Sequence, residues 1–496
     1  MASQNQKVCQ WDSTLSFIMA MIGSAIGLGN IWRYPYVVYS NGGGAFLIPY
    51  LISILLMALP YLYLEYAVGF EFKTSVPNMF KKVKSKLEVV GWFICLTSFL
   101  ILCYYIVIIA WDLIYFLLSF SKGWGTNPGN FYTNTLLHST TSISGLSTVI
   151  WPIVISLLVL WVIIWYISHQ NLNNGIGKFS KVLIPALMGI MAIVIIYGVS
   201  LPGSYIGIQT LLTPKWDALF DPNIWLAAAG QILFSLSLGW GVVSTYSSYL
   251  PEDSQLIKNG AIVAISNCGF EFFTAIGVFS ILGFMSLSQG VPIDQVITQG
   301  SGLIFVAFPT VFNIMGNFAY VLAPLFFLCV LFAGITTTIS LLEPLSLGIT
   351  RKFKIRRKVI VTVLCIIGFG LSFVYATGLG NYLLTIADSF LNEFAVLFGI
   401  VLECLIFGWL YNIDKLLDIV NRNAKYKFGS WWKYLIKYVI PIIFIALWLN
   451  GIYTLITTNN LFSITVQGII AAILIVLPIV LTLLPKSDKK LEIECD

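Results

Sequence analysis

The first long apolar segment of the chain contains residues that disfavour a continuous helix. Three glycines lie between Gly23 and Gly29, and Asn30, Arg33 and Pro35 follow closely. In a helix interior a glycine costs about 1 kcal/mol and a proline about 3 kcal/mol relative to alanine. The sequence therefore predicts that the backbone unwinds within residues 23–30.

The composition places this break inside a membrane. The 496 residues are 58% hydrophobic and only 10% charged, whereas about 25% of residues in soluble domains are charged. About twelve apolar segments approach the roughly 20 residues that a spanning helix needs. Lipid cannot satisfy unpaired backbone groups, so the break must be buried in protein or line a polar cavity. We therefore expect a binding site there.

Basic residues cluster in alternate connections between the apolar segments, most densely at 81–86, 351–358 and 425–437. By the positive-inside rule these connections, and with them both termini, are predicted to be cytoplasmic. The net charge of +6 is explained by this basic face, so no nucleic-acid partner is expected. The chain lacks any Asn-x-Ser/Thr acceptor, which fits the cell membrane of a prokaryote.

A second interruption occurs in predicted helix 6, where residues 234–241 contain two serines and two glycines. The interrupted helices are the first members of successive five-helix blocks. This pattern predicts an all-α membrane protein with about 12 transmembrane helices and a 5+5 inverted repeat, with the binding site between broken helices 1 and 6. The predicted divisions are the cytoplasmic N-terminus (1–12), helices 1–5 (13–200), helices 6–10 (201–412), helices 11–12 (413–485) and the cytoplasmic tail (486–496).

The polar groups expected in mid-membrane are mostly neutral oxygens. Such oxygens bind hard monovalent cations by replacing their water shell, and the N-termini of half-helices attract anionic groups. The inventory therefore fits a cation and a zwitterion bound side by side. Its side chains are Asn30, Ser235, Ser237, Asn267, Thr336 and Thr337.

Enzymatic and transition-metal chemistry are not predicted. The two histidines, His138 and His169, lie near membrane boundaries, and no Cys/His ligand spacing occurs. Serine or threonine nucleophiles have no evident base, and the buried acids Glu65 and Glu271 are isolated from each other in sequence. Glu65 is expected to support the helix breaks structurally.

A specific pattern occupies the start of the chain, namely Trp11 and the segments 23–30, 33–35 and 41–46. With this pattern and features of predicted helices 3, 6, 7, 8 and 10, the sequence resembles the neurotransmitter:sodium symporter family along nearly its whole length. The resemblance implies that two sodium ions drive uptake of a neutral amino acid by alternating access.

The resemblance also implies the ion ligands. For the first sodium site they are the carbonyls of Ala25 and Ser235, the Ser235 hydroxyl, the side chains of Asn30 and Asn267, and the substrate carboxylate. For the second site they are the carbonyls of Gly23, Ile26 and Ala333 and the hydroxyls of Thr336 and Thr337. The alternative for the threonines is hydrogen bonding to the preceding helical turn.

The implied substrate site lies between the two breaks. The amides of Leu28 and Gly29 with the Tyr105 hydroxyl would hold the carboxylate, and Tyr105 and Phe234 would close the outer lid. The complete set is Ala25, Leu28, Gly29, Ile101, Tyr105, Phe234, Ser235, Ser237, Trp240, Thr337 and Leu341. Arg33 and Asp388 match the family's external gate pair.

Two positions bear on the substrate. Gly27 stands where monoamine-carrying members have an aspartate, so we expect an amino acid. Trp240 stands where a leucine-carrying bacterial member has phenylalanine, and the larger ring favours a small substrate such as alanine or glycine. Larger hydrophobic or aromatic amino acids are the alternative.

Glu271 lies one turn after Asn267 in an apolar helix. A charge at the membrane centre costs roughly 2.5–3.5 kcal/mol by insertion scales, so Glu271 should have a partner. The resemblance implies that this acid replaces chloride, which predicts chloride-independent transport. Proton exchange at Glu271 and a purely structural hydrogen bond are the alternatives.

The family's cytoplasmic gate is not matched. Its basic position falls on Val8 and its acidic position on Arg351. We therefore expect another pair, such as Lys7 with Glu252 or Asp253, to close the inner side.

The rival functions are proton-coupled transport by the same mechanism and, less favoured, a substrate-gated channel or sensor. A channel would need a continuous polar file, whereas the sequence indicates one mid-membrane cluster. The expected partners are a neutral amino acid and the lipid bilayer, and the oligomeric state is left open.

Overall fold

The computed structural model describes residues 10–297, 300–458 and 460–487, except for the side chain of Thr458. Its regular structure within these ranges is helical and contains no β-strand. Nine described helices are long and apolar enough to cross a membrane, and one pair of shorter helices forms a broken span bent by 55°. Two shorter elements, Pro222–Ser235 with Val242–Ser247 and Arg357–Phe373, lie at the two remaining predicted positions. The predicted all-α membrane fold is confirmed.

We number the spans in chain order. They are α1 (Thr14–Ala25 and Gly29–Ser40), α2 (Gly44–Phe72), α3 (Ser85–Ser119), α4 (Trp151–His169), α5 (Asn173–Ser200), α6 (Pro222–Ser235 and Val242–Ser247), α7 (Leu256–Gln289), α8 (Gly316–Phe353), α9 (Arg357–Phe373), α10 (Gly380–Leu410), α11 (Trp431–Thr457) and α12 (Leu461–Leu483).

The break in α1 is shorter than the predicted unwinding of residues 23–30. The helix continues to Ala25, Ile26 is extended with ψ of 99°, and a π-helical turn begins at Gly29. Backbone hydrogen bonds persist up to the break, because the Ile26 N–H donates to the Ile22 carbonyl at 2.7 Å. The helical hydrogen bonding of the backbone is therefore interrupted only at the residues of the bend.

The break in α6 is made by left-handed residues. Ser237, Gly239 and Gly241 have φ of 52°, 77° and 69°. The Ser237 hydroxyl donates to the Ser24 carbonyl of α1 at 2.7 Å, which joins the two breaks directly. Both interruptions therefore fall in the first helix of a five-helix block, as predicted.

Glu65 of α2 contacts the α6 break, as expected from its predicted structural role. Its Oε2 accepts from the Gly239 N–H at 3.4 Å, and its carbonyl accepts from the Ser247 hydroxyl at 3.3 Å. The side chain is fully buried. Its carboxyl group thereby satisfies a backbone amide that the interrupted helix leaves without an intrahelical partner.

The core lies along α3 and α8, which pack against each other over much of their lengths. In the most apolar window of α3, 83% of the residues are buried inside the protein, compared with 17% in α12. A chain that crosses a membrane leaves such peripheral helices to lipid. By this measure α12 is peripheral, and its place outside the repeat stays a prediction.

The predictions made for the two ends of the chain concern residues that lie partly outside the described ranges. This applies to Lys7 and Val8 in the predicted N-terminus and to residues 488–496 of the predicted tail.

The close approach of α2 to the α6 break predicts a strict size limit at Gly69. A Cβ there would lie 2.0 Å from the Ser247 Oγ and 2.2 Å from the Ser244 carbonyl oxygen. We expect Gly69→Ala to destabilise the protein by about 1–3 kcal/mol, the usual cost of overpacking, measured as a lower melting temperature in detergent.

Gly189 in α5 is the matched control, because a Cβ there meets nothing within 4 Å. Gly189→Ala should leave the melting temperature unchanged or raise it, since alanine favours helix. Equal melting temperatures for the two variants would contradict the packing assigned to α2 and α6.

Candidate substrate and ion binding site

A cavity of about 750 Å³ extends from one end of the helix bundle down to both breaks. Its mouth includes the exposed residues Ser40, Thr385 and Asp388, and the partly exposed Trp240 lines it at the α6 break. We call the end at which the cavity opens the open end, and the end that contains Trp11 the closed end.

Ten of the eleven predicted substrate-binding residues line this cavity. They are Ala25, Leu28, Gly29, Ile101, Tyr105, Phe234, Ser235, Ser237, Trp240 and Thr337. Leu341 is buried in α8 one turn beyond Thr337 and is not among the described residues that line the cavity. The substrate contacts of all eleven stay predictions.

Polar groups from three helices meet beside Gly27. The Leu28 N–H donates to the Tyr105 hydroxyl at 3.1 Å. A Cβ on Gly27 would lie 3.1 Å from both the Tyr105 hydroxyl and the Thr337 Oγ1. A side chain at position 27 would therefore project between these two hydroxyl groups.

The predicted ligands of the first sodium site form one buried cluster. The Asn30 Nδ2 donates to the Asn267 Oδ1 at 2.9 Å and to the Ser235 Oγ at 3.4 Å. The Asn267 Nδ2 also donates to the Ser235 Oγ, and the Asn30 Oδ1 accepts from the Gly27 N–H at 2.9 Å. Side chains from α1, α6 and α7 thus place oxygens together, which is the donor chemistry that suits a hard monovalent cation.

The predicted second site lies where α1 meets α8. The Thr337 Oγ1 is 3.5 Å from the carbonyl oxygens of Gly23 and Ile26. The Thr336 Oγ1 donates to the Ala333 carbonyl at 3.1 Å and to the Phe332 carbonyl at 3.0 Å. The hydrogen bonds of Thr336 are those of the alternative considered for the threonines, whereas Thr337 reaches across to α1.

The predicted external gate residues lie on the cavity wall without pairing. The Arg33 guanidinium carbon is 4.5 Å from the centre of the Phe234 ring. Asp388 accepts hydrogen bonds from the Tyr104 hydroxyl at 2.7 Å and the Asn392 side chain at 2.8 Å. Among the described residues, Arg33 and Asp388 form no ion pair with each other. The cavity is therefore open between them.

The closed end is sealed first by Trp11. Its indole N–H donates to the Tyr246 carbonyl at 2.9 Å, and its backbone N–H donates to the Tyr249 carbonyl at 3.1 Å. The side chain is 4% exposed and packs edge-on against both tyrosine rings. The segment before α1 is thus fastened to the second half of α6.

Next to Trp11 lies an ion pair that the sequence analysis did not identify. Arg357 of α9 donates to both carboxylate oxygens of Glu343 at 2.5 and 2.8 Å, and the Tyr249 hydroxyl donates to the same carboxylate at 2.9 Å. Arg357 also donates to the Ser168 carbonyl of α4 at 3.2 Å. This Tyr249–Glu343–Arg357 network joins α4, α8 and α9 to the segment that follows α6. The sequence feature that could have indicated this ion pair is the acid Glu343 inside an apolar helix, with the basic Arg357 fourteen residues later.

The pair expected for inner closure, Lys7 with Glu252 or Asp253, stays a prediction. Lys7 lies outside the described residues, and Glu252 pairs with Arg422 at 2.9 Å and Lys73 at 3.8 Å. Glu252 is largely exposed to solvent, so it belongs to the surface of the closed end.

Glu271 has hydrogen-bond partners, as its position in an apolar helix predicts. Its carboxylate accepts hydrogen bonds from the Tyr50 hydroxyl and from the Gln231 side chain, the latter at 2.9 Å. The group is fully buried and lies one turn from Asn267. Gln231 was not predicted from the sequence, although this residue lies one turn before Ser235 on a half-helix that carries site residues.

Known proteins resemble this chain over most of its length. Residues 9–128 and 124–485 match the model of the sodium:neurotransmitter symporter family. The chain belongs to this family. The family consists of transporters, and this symporter is a multi-pass membrane protein.

Individual relatives cover most of the symporter. It is 39% identical to an uncharacterised sodium-dependent transporter of Methanocaldococcus jannaschii, over 88% of this chain and 89% of the relative. It is 29% identical to the sodium- and chloride-dependent GABA transporter 2 of Rattus norvegicus, over 92% of this chain and 82% of the relative. It is 28% identical to the sodium- and chloride-dependent creatine transporter 1 of Mus musculus, over 91% of this chain and 78% of the relative.

The geometry at the second site predicts different effects for two adjacent threonines. Thr337→Val removes the hydroxyl that reaches the α1 carbonyls, so we expect sodium affinity to fall at least tenfold. The measurement is the rise of the melting temperature as NaCl replaces KCl at constant ionic strength.

Thr338→Val is the control, because the Thr338 hydroxyl donates only within α8, to the Gly334 carbonyl at 2.7 Å. This variant should retain the sodium response. An unchanged sodium response in Thr337→Val would remove Thr337 from the second site.

Proposed function

We propose that this symporter couples sodium entry to uptake of a small neutral amino acid by alternating access, without needing chloride. The proposal is carried by one observation: the breaks of α1 and α6 meet in a cavity that is bordered by two groups of neutral oxygens. Helix ends can bind the charged ends of a zwitterion, and the oxygens can replace the water around sodium.

The sodium sites are supported by the donor set and its convergence. Asn30, Ser235 and Asn267 would hold the first ion beside the substrate carboxylate. Thr336 and Thr337, with carbonyls of α1 and α8, would hold the second. Because the first ion and the substrate would share the carboxylate, each would raise the affinity for the other.

An amino-acid substrate is supported by the space around Gly27. A longer side chain there would project between the Tyr105 and Thr337 hydroxyls, which are proposed to bind the substrate. Glycine leaves both hydroxyls to the substrate. Trp240 fills part of the cavity at the α6 break, and its bulk supports a small side chain such as that of alanine or glycine.

Chloride independence is supported by the surroundings of Glu271. A tyrosine hydroxyl and a glutamine amide donate to its carboxylate, as they would to a bound anion. The acid supplies a fixed negative charge one turn from Asn267 of the first sodium site. The GABA and creatine transporters among the relatives are described as chloride-dependent, so this property is a point of difference from them.

The proposed cycle uses the two ends of the molecule in turn. We assign the open end to the extracellular side, with both termini in the cytoplasm, from the distribution of basic residues. Inward opening then requires separation of the Tyr249–Glu343–Arg357 network, while Arg33 and Asp388 approach each other. Two sodium ions crossing 100 mV with a zwitterion would provide roughly 4.6 kcal/mol from the potential alone, which corresponds to about three decades of accumulation.

The direct test is uptake of labelled alanine, glycine, leucine and tryptophan into proteoliposomes, with and without an inward sodium gradient and in chloride-free buffer. We expect accumulation of the small amino acids that depends on sodium and not on chloride. Accumulation driven only by a proton gradient would contradict the sodium coupling, and rapid equilibration without accumulation would indicate a channel.

The role assigned to Glu271 predicts a gain of chloride dependence. Glu271→Ser removes the fixed charge but leaves the donors Tyr50 and Gln231, so uptake should fall at least tenfold in gluconate buffer and recover in chloride. Asp217→Ser, a change at an exposed acid of the 216–220 connection, should transport equally in both buffers. Equal uptake by Glu271→Ser in both buffers would refute the assignment.

The role assigned to Trp240 predicts a change of selectivity. Its indole N–H has no hydrogen-bond partner among the described residues, so Trp240→Phe chiefly removes volume. A difference of one methylene group in an apolar pocket changes the discrimination between two substrates by about 1–3 kcal/mol. We therefore expect kcat/KM for leucine relative to alanine to rise about tenfold. Trp165→Phe, in α4, is the control that should keep the original ratio.

A further inference from the structure

One buried acid of α3, Asp112, has no hydrogen-bond partner among the described residues. Asp112 is 0% exposed, and neither of its carboxyl oxygens makes a hydrogen bond to any described residue. Other buried acids are held differently: Glu271 by Tyr50 and Gln231, and Glu403 by the Tyr61 hydroxyl at 2.7 Å. An isolated carboxylate is strongly disfavoured in such surroundings, so the Asp112 carboxyl is neutral in this conformation.

The position of Asp112 relates it to the second sodium site. It follows Tyr105 by seven residues and Ile109 by three, so the three side chains share one face of α3. That face packs on α8, because a Cβ on Gly334 would meet Ile109 at 2.7 Å. Thr337 lies beside Tyr105 on the same interface. Asp112 is therefore two helical turns, about 10 Å along the axis, from the level of Thr337.

The proposed second site has no negative charge among its ligands, which are three carbonyls and two hydroxyls. The first site differs, since the substrate carboxylate and Glu271 lie beside it. A cation buried among neutral dipoles gains from a counter-charge on the same low-dielectric interface. Asp112 is an acid that can supply this charge, because no existing partner must be displaced.

The surroundings of Asp112 contain no fixed positive charge among the described residues. The ionisable groups near it are Tyr105 and Tyr115 on α3, Cys329 on α8, and Tyr132, whose ring packs against the adjacent Trp111. All are neutral in their ordinary state at neutral pH. The charge of Asp112 can therefore respond to a cation that binds along the interface.

Water of the cavity lies one layer of side chains away. Ile108 and Trp111, which flank Asp112 on the helix surface, line the cavity. On the other side, Phe305 packs against Trp111 and accepts a hydrogen bond at its carbonyl from Tyr115. The cavity at the open end is therefore the route that we assign to a proton that leaves Asp112.

We propose that Asp112 is a proton-binding site linked to the second sodium site. Sodium bound near Thr337 favours the carboxylate, the proton passes to cavity water, and the carboxylate becomes the counter-charge of the ion. One O–H bond of the carboxyl breaks and one forms in water, with no other change of bonding. This inference rests on the proposed sodium-coupled function.

Linkage fixes the sign of the effect. The protonated carboxyl opposes sodium binding, so sodium affinity should rise with pH, by up to about tenfold per unit for one proton exchanged. Sodium binding should likewise release up to one proton per protein.

The first measurement is proton release, followed with a pH indicator dye when NaCl or KCl is added to purified protein in weakly buffered detergent solution. The second is sodium affinity at several pH values, obtained from the rise of the melting temperature with NaCl. Wild type should release protons with NaCl only, and its sodium affinity should rise with pH. Asp112→Asn, which resembles the neutral carboxyl, should release none and show sodium affinity that does not vary with pH. Asp217→Asn should match wild type.

Two results would overturn the proposal: equal proton release by Asp112→Asn, or sodium binding by wild type without release. Absence of any sodium response in wild type would overturn the proposed function as well, so the two failures are distinguishable. If Asp112→Asn does not fold, carbodiimide labelling of wild type replaces it, because this reagent adds to protonated carboxyls. Labelling of Asp112 should be lower in NaCl than in KCl, and equal labelling would refute the linkage.

Discussion

Every interruption of a membrane helix must have its backbone groups satisfied by protein, and this constraint organises the structure. In water a broken helix costs little, but in hydrocarbon each unpaired amide or carbonyl is expensive. Here the α6 break is supported by the buried Glu65 carboxyl, and Ser237 donates to the Ser24 carbonyl of α1. The two breaks therefore support each other, and the polar surface they create becomes the wall of the cavity.

The same low dielectric governs the charged groups. A buried charge is stable when it is paired. The buried Glu343 pairs with the partly exposed Arg357, and their contacts join α4, α8 and α9 to the segment after α6 at the closed end. Removing one partner from such a pair is costly, so the pair opposes opening of the closed end. At the open end, Arg33 and Asp388 each have another neighbour, so their approach can be driven by ligand binding without breaking a buried ion pair.

This asymmetry explains how substrate and ion binding could act on conformation. A ligand shifts an equilibrium only by binding one state better than the other. The predicted ligands come from α1, α6, α7 and α8, so an ion or substrate between them would change the relative positions of the two broken helices and their neighbours. The Trp11 segment links the start of α1 to the closed end, because it is hydrogen-bonded to the second half of α6.

The sequence by itself determined the fold class and the two breaks, because glycines, polar residues and apolar segment lengths are local signals of what a membrane helix can tolerate. The residues of the cavity wall were implied by the resemblance to the symporter family. It also indicated that Glu271 needs partners. Only the tertiary structure decided which residues those partners are, that Arg33 and Asp388 stand apart, and that Arg357 pairs with Glu343 at the closed end. It also decided that Asp112 has no hydrogen-bond partner in the part of the chain that the structure describes. Pairings between residues far apart in sequence depend on helix packing and on the conformation adopted, and neither leaves a local pattern in the chain.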